Sequence, residues 1–251
     1  MADSIQSGAC SSQVEWSFSA GIYLVATKPY VLDAFIERLR KESIGDPSWI
    51  TAKKVYEYQP QTIEVAAVLK LVRAAQGIHA MQLLCNAGLF VDFGAITRCV
   101  LDCLDDVRFL LERYPHRSDM VDKFLKEFYS KDIDNYASTN EVPVLTKKIR
   151  AGAIRAITGR SSDSVVQAKK EAIYNTFCGY VHAGYCHIMQ MFGGPAGQLE
   201  FKLSGITFAE EIKSHQRVLD AITDSTMYCV AYTCEMLELR ELEGEVLNAM
   251  E

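Results

Sequence analysis

Three charged residues share one face of a helical stretch that is otherwise apolar on that face. Arg98, Asp102 and Asp105 stand at positions i, i+4 and i+7 in TRCVLDCLDDVRF, which places them on the same side of an α-helix. Charges on an apolar face are unfavourable unless they are paired. Two interpretations stay open: an ion pair between Arg98 and Asp102 that fixes the helix, or a polar pocket inside a helical bundle.

A histidine on a later helical stretch could add acid-base chemistry to this group. In YNTFCGYVHAGYCHIM, His182 follows Asn175 and Cys178 at helical spacing. If its imidazole meets the arginine and an aspartate that orients it, the group could act on phosphate esters, with the arginine stabilising the developing negative charge. The alternative is a histidine that is buried and hydrogen-bonded in the core. The candidate catalytic residues are His182, Arg98, Asp102 and Asp105.

Other polar residues are candidates for ligand binding rather than catalysis. The stretch Val144 to Thr158 is basic, which indicates either a solvated helix face or an anion site. The candidate ligand-binding residues are Arg73, Asn175, Tyr180, Arg150 and Arg155. We expect no metal and no cofactor: the i, i+4 pairs of cysteine and histidine, such as Cys99 with Cys103, do not have a known zinc spacing, and cysteine is a common small core residue.

The composition is that of an ordinary globular protein. The chain has 251 residues, 49% hydrophobic and 23% charged, and a net charge of −6, which does not favour RNA as a partner. Most of the eight cysteines lie in apolar helical runs, as buried reduced thiols do. No signal peptide or membrane-spanning run is apparent, so we predict a cytoplasmic protein with no membrane partner.

The apolar periodicity predicts an all-α fold. We expect a single helical bundle of about six or seven helices, with one short β-hairpin or extended loop near 199–205. The predicted parts are a disordered tail over 1–12 and a single domain over 13–251, with a core hairpin over 60–114, a His-bearing helix over 164–192 and a C-terminal helix over 207–245 that begins at a capping box at Thr207. A further short helix is expected over Ser48 to Tyr58.

The first helix of the core hairpin also carries a loose motif. Val72, His79 and Leu83 belong to its predicted apolar stripe, which would place the histidine in the core. Arg73 and His79 superficially satisfy the Arg-x4–6-His pattern of the HEPN ribonucleases. Residues six apart lie about 120° away from a common helix face, which favours a surface arginine and a core histidine instead.

Two segments resemble a family of uncharacterised bacterial all-helical proteins. The segment VLKLVRAAQGIHAMQLLCNAGLFVDFGAITRCVLDCLDDVRFLLE and the later YNTFCGYVHAGYCHIMQMFGG are similar to that family's Arg-x3-acid helix and its Tyr-Val-His-Ala helix. By position, the resemblance implies that Arg73, Arg98, Asp102, Asp105 and His182 match recurrent polar residues. It distantly suggests HEPN-like and abortive-infection proteins.

Two functions follow as expectations. The first is a non-catalytic binding or scaffold module in bacterial stress or phage defence, with a homodimer as its candidate assembly. The alternative is a metal-independent HEPN-like ribonuclease or phosphoryl-transfer enzyme that uses His182 with Arg98 and Asp102 or Asp105.

Overall fold

The computed structural model describes residues 29–130, 143–159, 164–194, 197–206 and 208–251. The expected tail over 1–12 and the expected cap at Thr207 lie outside these ranges. The predicted all-α class is confirmed, and the described residues form nine helices and two short antiparallel hairpins. The elements are α1 (Pro29–Ser43), β1 (Ser48–Ile50), β2 (Val55–Glu57), α2 (Ile63–Ala87), α3 (Phe90–Leu111), α4 (Asp119–Ser130), α5 (Thr146–Thr158), α6 (Ser164–Val181), α7 (Tyr185–Met189), β3 (Phe192–Gly193), β4 (Glu200–Phe201), α8 (Ala209–Met236) and α9 (Arg240–Asn248).

Helices α2 and α3 form the antiparallel hairpin expected over 60–114. The Thr62 side chain caps α2 by accepting a hydrogen bond from the Val65 N–H, and Gly88 ends the helix in the left-handed conformation at φ 69°. The Ile206 N–H donates to the Gly88 carbonyl at 2.9 Å. A Cβ at Gly88 would lie 1.9 Å from the Ile206 carbonyl oxygen, so the turn requires glycine for space as well as for conformation.

Helix α3 lies at the centre of the bundle and packs against α2, α5, α6 and α8. The core is one continuous cluster, in which Leu71, Ile78, Leu104 and Met227 are fully buried. Gly77 allows α2 and α3 to approach closely, because a Cβ there would lie 2.4 Å from a methyl carbon of Val100. The residues of α3 that face α5 and α6 therefore lie between helices, and this position determines the surroundings of its charged side chains.

The buried face of α2 differs from the predicted stripe. Val72, His79 and Leu83 are exposed, and His79 Nε2 lies 2.8 Å from a carboxylate oxygen of Asp33 at the surface. The prediction of a core histidine is therefore wrong. Small residues, including Ala66, Ala67, Ala74 and Ala75, occupy the buried face instead, because they let the neighbouring helices come close. A helix that is apolar on both sides does not reveal its buried face by hydrophobicity alone.

The expected helix over Ser48 to Tyr58 is a β-hairpin. Strands β1 and β2 pair in antiparallel register, with Ser48 opposite Glu57 and Ile50 opposite Val55. Trp49 and Tyr56 form a cross-strand aromatic pair, with ring centroids 5.0 Å apart. Aromatic and β-branched residues that alternate across a tight turn favour strands, and this signal outweighed the weak helical spacing.

Two expected long helices are each divided. The helix expected over 164–192 ends at Val181, because Ala183 takes the left-handed conformation at φ 50° and the chain turns back into α7. The C-terminal helix expected over 207–245 ends at Met236, and Glu238 at φ 60° separates it from α9. Both breaks use non-glycine residues in a conformation that sequence patterns predict mainly for glycine.

Candidate functional site

A cleft of about 450 Å³ opens between α2, α3, α4 and α5 beside the charged face of α3. We call it the polar cleft. Its charged lining residues are Lys70, Asp102, Asp105, Asp106, Glu127 and Arg150. The aromatic rings of Phe124 and Phe128, on successive turns of α4, form part of its apolar wall. The cleft thus combines charged groups of both signs with apolar surface, as small-molecule sites commonly do.

The three aspartates of α3 that line the cleft each have a cationic partner. Asp102 pairs with Arg98, Asp105 with Lys170, and Asp106 with the Lys70 ammonium at 2.7 Å. The predicted Arg98 to Asp102 ion pair is confirmed. Lys70 belongs to α2, Arg98 to α3 itself and Lys170 to α6. Ion pairs therefore join α2 and α6 to α3 beside the cleft.

The Lys70 ammonium also lies beside the aromatic wall. It is 5.5 Å from the ring centroid of Phe124 and 5.3 Å from that of Phe128. A cation near two ring faces gains electrostatic attraction while it keeps its carboxylate partner, Asp106. Lys70 is therefore held in place from two sides at the wall of the cleft.

A tyrosine from α6 separates two arginines. The ring centroid of Tyr174 lies 3.9 Å from the Arg98 guanidinium and 3.7 Å from that of Arg150. Arg98 is only 7% exposed. Three guanidinium nitrogens in this sandwich are buried without a hydrogen-bond acceptor, namely Nε of Arg98 and both Nε and Nη1 of Arg150. Such donors are unusual, because most buried polar atoms are hydrogen-bonded.

Burial changes the pKa of several charged groups of the site. It raises the pKa of Asp106 to about 6, although the neighbouring Lys70 ammonium lowers it in part. Burial likewise raises the pKa of Asp102, against the effect of its hydrogen bond with Arg98. It lowers the pKa of Lys170, against the attraction of Asp105. The ion pairs therefore offset only part of the desolvation of these groups.

The structure brings together four of the residues predicted from sequence. Arg98, Asp102, Asp105 and Arg150 lie in or directly beside the polar cleft. Arg155 lies on α5 but pairs with Glu112, the residue that follows α3, at 2.8 Å between Nη2 and a carboxylate oxygen. Arg73 is exposed on α2.

The residues predicted near the end of α6 lie away from the cleft. His182 is exposed and follows the last residue of α6, and no described contact joins its side chain to Arg98. It is eight residues beyond Tyr174, or roughly 12 Å along a helix axis at 1.5 Å per residue. Tyr180 packs against Gly94 and donates to Gln190 at 3.1 Å, and Asn175 is exposed.

Several residues of the site were not predicted. Lys70 and Asp106 gave a usable signal, because a lysine inside an apolar helix and a second aspartate beside Asp105 both indicate a buried polar group. Tyr174 and Lys170 gave none, since their roles depend on how α6 lies across α3. Among the described residues no group of three or more histidine, cysteine, aspartate or glutamate side chains is arranged to hold a metal ion.

The fold and the site define an all-α protein with a charged interhelical cleft. Comparison with models of protein families, with curated proteins and with solved structures found no match. None of the helices in the described ranges is long and apolar enough to cross a membrane.

Proposed function

We propose that the protein is a non-catalytic binding module, and that its polar cleft takes up a small ligand with an oxyanion and a hydrogen-bond donor. The observation that carries this proposal is Arg150, which lines the cleft and whose guanidinium has two buried nitrogens without an acceptor. An unsatisfied buried donor costs on the order of 1–3 kcal/mol. An oxyanion that reaches this guanidinium would recover that free energy.

The acidic side of the cleft supports a ligand that also has a donor group. The Asp102 side chain remains 43% exposed although it pairs with Arg98, so its carboxylate keeps surface for a second partner. An ammonium or amide group on the ligand would fit there. The Tyr174 ring holds Arg98 and Arg150 on its two faces, so the guanidinium of Arg150 is oriented before the ligand arrives.

Binding is favoured over phosphoryl transfer because of where the acid-base candidate lies. A catalytic role for His182 requires its imidazole within hydrogen-bond reach of the reacting atoms, or one water away. His182 is exposed beyond the end of α6, and the cationic and acidic groups of the cleft already pair with each other.

Phosphorus NMR on the full chain tests the proposal with two probes, inorganic phosphate and phosphoethanolamine. We expect line broadening of both, with more for phosphoethanolamine because its ammonium group can reach Asp102. Arg150→Gln should abolish the broadening of both probes, and Asp102→Asn should remove only the difference between them. The control is Arg240→Gln, an exposed arginine in the first turn of α9.

Equal broadening in Arg150→Gln and in the unmodified chain would refute an oxyanion site at Arg150. Circular dichroism of each variant establishes that it has folded, so that a lost signal reports on binding rather than on unfolding.

A further inference from the structure

An unusually apolar set of exposed side chains follows the C-terminal end of α6 along the chain. Six large side chains between α7 and the start of α8 are between 40% and 81% exposed. We call this set the apolar surface: Tyr185, Phe192, Leu199, Phe201, Leu203 and Phe208. Scattered exposed apolar residues are normal, but a set this dense in one short stretch indicates a binding surface.

The hairpin of β3 and β4 brings two of these side chains together. Phe192 pairs with Phe201 across the two strands, with ring centroids 5.0 Å apart. Leu199 and Phe201 flank Glu200, so their side chains share one face of the extended segment, and the exposed Leu203 lies in the turn that follows β4. A two-stranded hairpin of this length has little stability unless something covers its apolar face.

We infer that the apolar surface is the contact between two copies of this chain. Side chains of this kind bury roughly 150–250 Å² each, so the exposed fractions leave about 600 Å² for contact. A standard interface buries about 800 Å² per partner, so the surface supplies most of what a homodimer needs.

The charge of the surface favours a second copy over other partners. Glu200 and Lys202 pair with each other at 2.7 Å, so the hairpin carries no net charge. Two chains of net charge −6 would repel each other elsewhere, but not where this neutral surface meets its own copy. A nucleic acid would require a basic patch, and a cationic protein would require an acidic one.

The geometry also fits self-association. Among the described residues neither β3 nor β4 pairs with a third strand, and the edge of such a sheet can pair with its own copy in antiparallel register around a two-fold axis. In such a dimer the same apolar surface of each chain contacts the other chain.

Analytical ultracentrifugation of the full chain over a range of concentrations tests this inference. We expect a dimer of about twice the 28.1 kDa chain mass. Tyr185→Asp and Leu203→Asp should each weaken the dimer by about tenfold or more, because each would bury an unpaired charge. The matched control is Tyr56→Asp, since Tyr56 is a similarly exposed tyrosine, at 68%, and pairs with Trp49 in the other hairpin.

A chain that is monomeric throughout would overturn the inference, as would a dimer that Tyr56→Asp weakens as much as Tyr185→Asp does. A monomer in which Tyr185 and Leu203 are nonetheless protected from covalent labelling would also overturn it. That result would assign the surface to a different occupant, such as residues 1–28 of the same chain.

Discussion

Asp106 is the buried aspartate of the polar cleft, and its protonation should make the stability of the protein depend on pH. Burial raises its pKa from 3.8 to about 6 in the folded state. Between these two values the folded chain holds a proton that the unfolded chain has released. The free energy of unfolding therefore receives its full contribution from this group below about pH 4, and loses it as the pH rises through about 6.

Replacing Asp106 by asparagine removes this titration. From about pH 4 to about pH 7, the free energy of unfolding of the unmodified chain should fall relative to that of Asp106→Asn by up to about 3 kcal/mol. Urea unfolding at several pH values measures the difference. The control is Asp92→Asn, the same substitution at an exposed position in the first turn of the same helix.

If the free energy of unfolding of the unmodified chain instead rises with pH relative to that of Asp106→Asn, then the Lys70 ion pair stabilises the ionised carboxylate by more than burial destabilises it.

At the scale of the element, the docking of α6 on α3 depends on a missing side chain. A Cβ at Gly94 would lie 2.3 Å from the nearest ring carbon of Tyr180, a separation that real structures do not tolerate. The Tyr180 ring cannot move freely, because its hydroxyl donates to Gln190 and its face meets the edge of His187. Gly94 therefore determines how closely α6 approaches.

Gly94→Ala should destabilise the fold by about 1–3 kcal/mol, because overpacking outweighs the gain in helix propensity. Gly244→Ala provides the contrast: nothing lies within 4 Å of a Cβ there, so the same substitution in α9 should stabilise by up to about 1 kcal/mol. Urea denaturation of both variants measures the two effects. If Gly94→Ala and Gly244→Ala changed the free energy of unfolding equally, α6 would not pack closely on Gly94.

Sequence patterns predicted some elements and residues better than others. The α2–α3 hairpin follows from long periodic segments that are joined at Gly88, and the Arg98 to Asp102 pair follows from helical spacing alone. Both depend only on neighbours along the chain. The end of α6 at Val181 was missed, because the turn at Ala183 depends on α7 folding back so that His187 packs on Gly179.

The cleft shows the same division between local and distant contacts. Arg98, Asp102 and Asp105 could be found within one helix. Tyr174 could not, because its role arises only when α6 crosses α3 and α5 brings Arg150 to the far side of the ring.

At the scale of the whole molecule, the distribution of thiols provides a test of cooperativity. Cys99 and Cys186 are exposed, whereas four other cysteines on α2, α3 and α8 are buried: Cys85, Cys103, Cys229 and Cys234. Burial raises the pKa of Cys103 to about 11 and that of Cys234 to about 12, which removes the reactive thiolate at neutral pH.

Alkylation followed by mass spectrometry of the peptides should therefore label Cys99 and Cys186 in the folded protein. The four buried cysteines should become labelled together, at the urea concentration where the helical signal is lost, because they belong to one core. Labelling of Cys229 and Cys234 well before Cys85 would show that α8 separates from the rest first.

The close backbone contact at Gly88 limits how this chain can change in length. Loops between antiparallel helices usually tolerate extra residues, but this turn is closed by Gly205 and Ile206, which belong to a distant part of the sequence. An extra residue after Gly88 would force the two backbones apart. Reporter peptides and natural insertions are therefore both expected to be tolerated poorly at the α2–α3 turn.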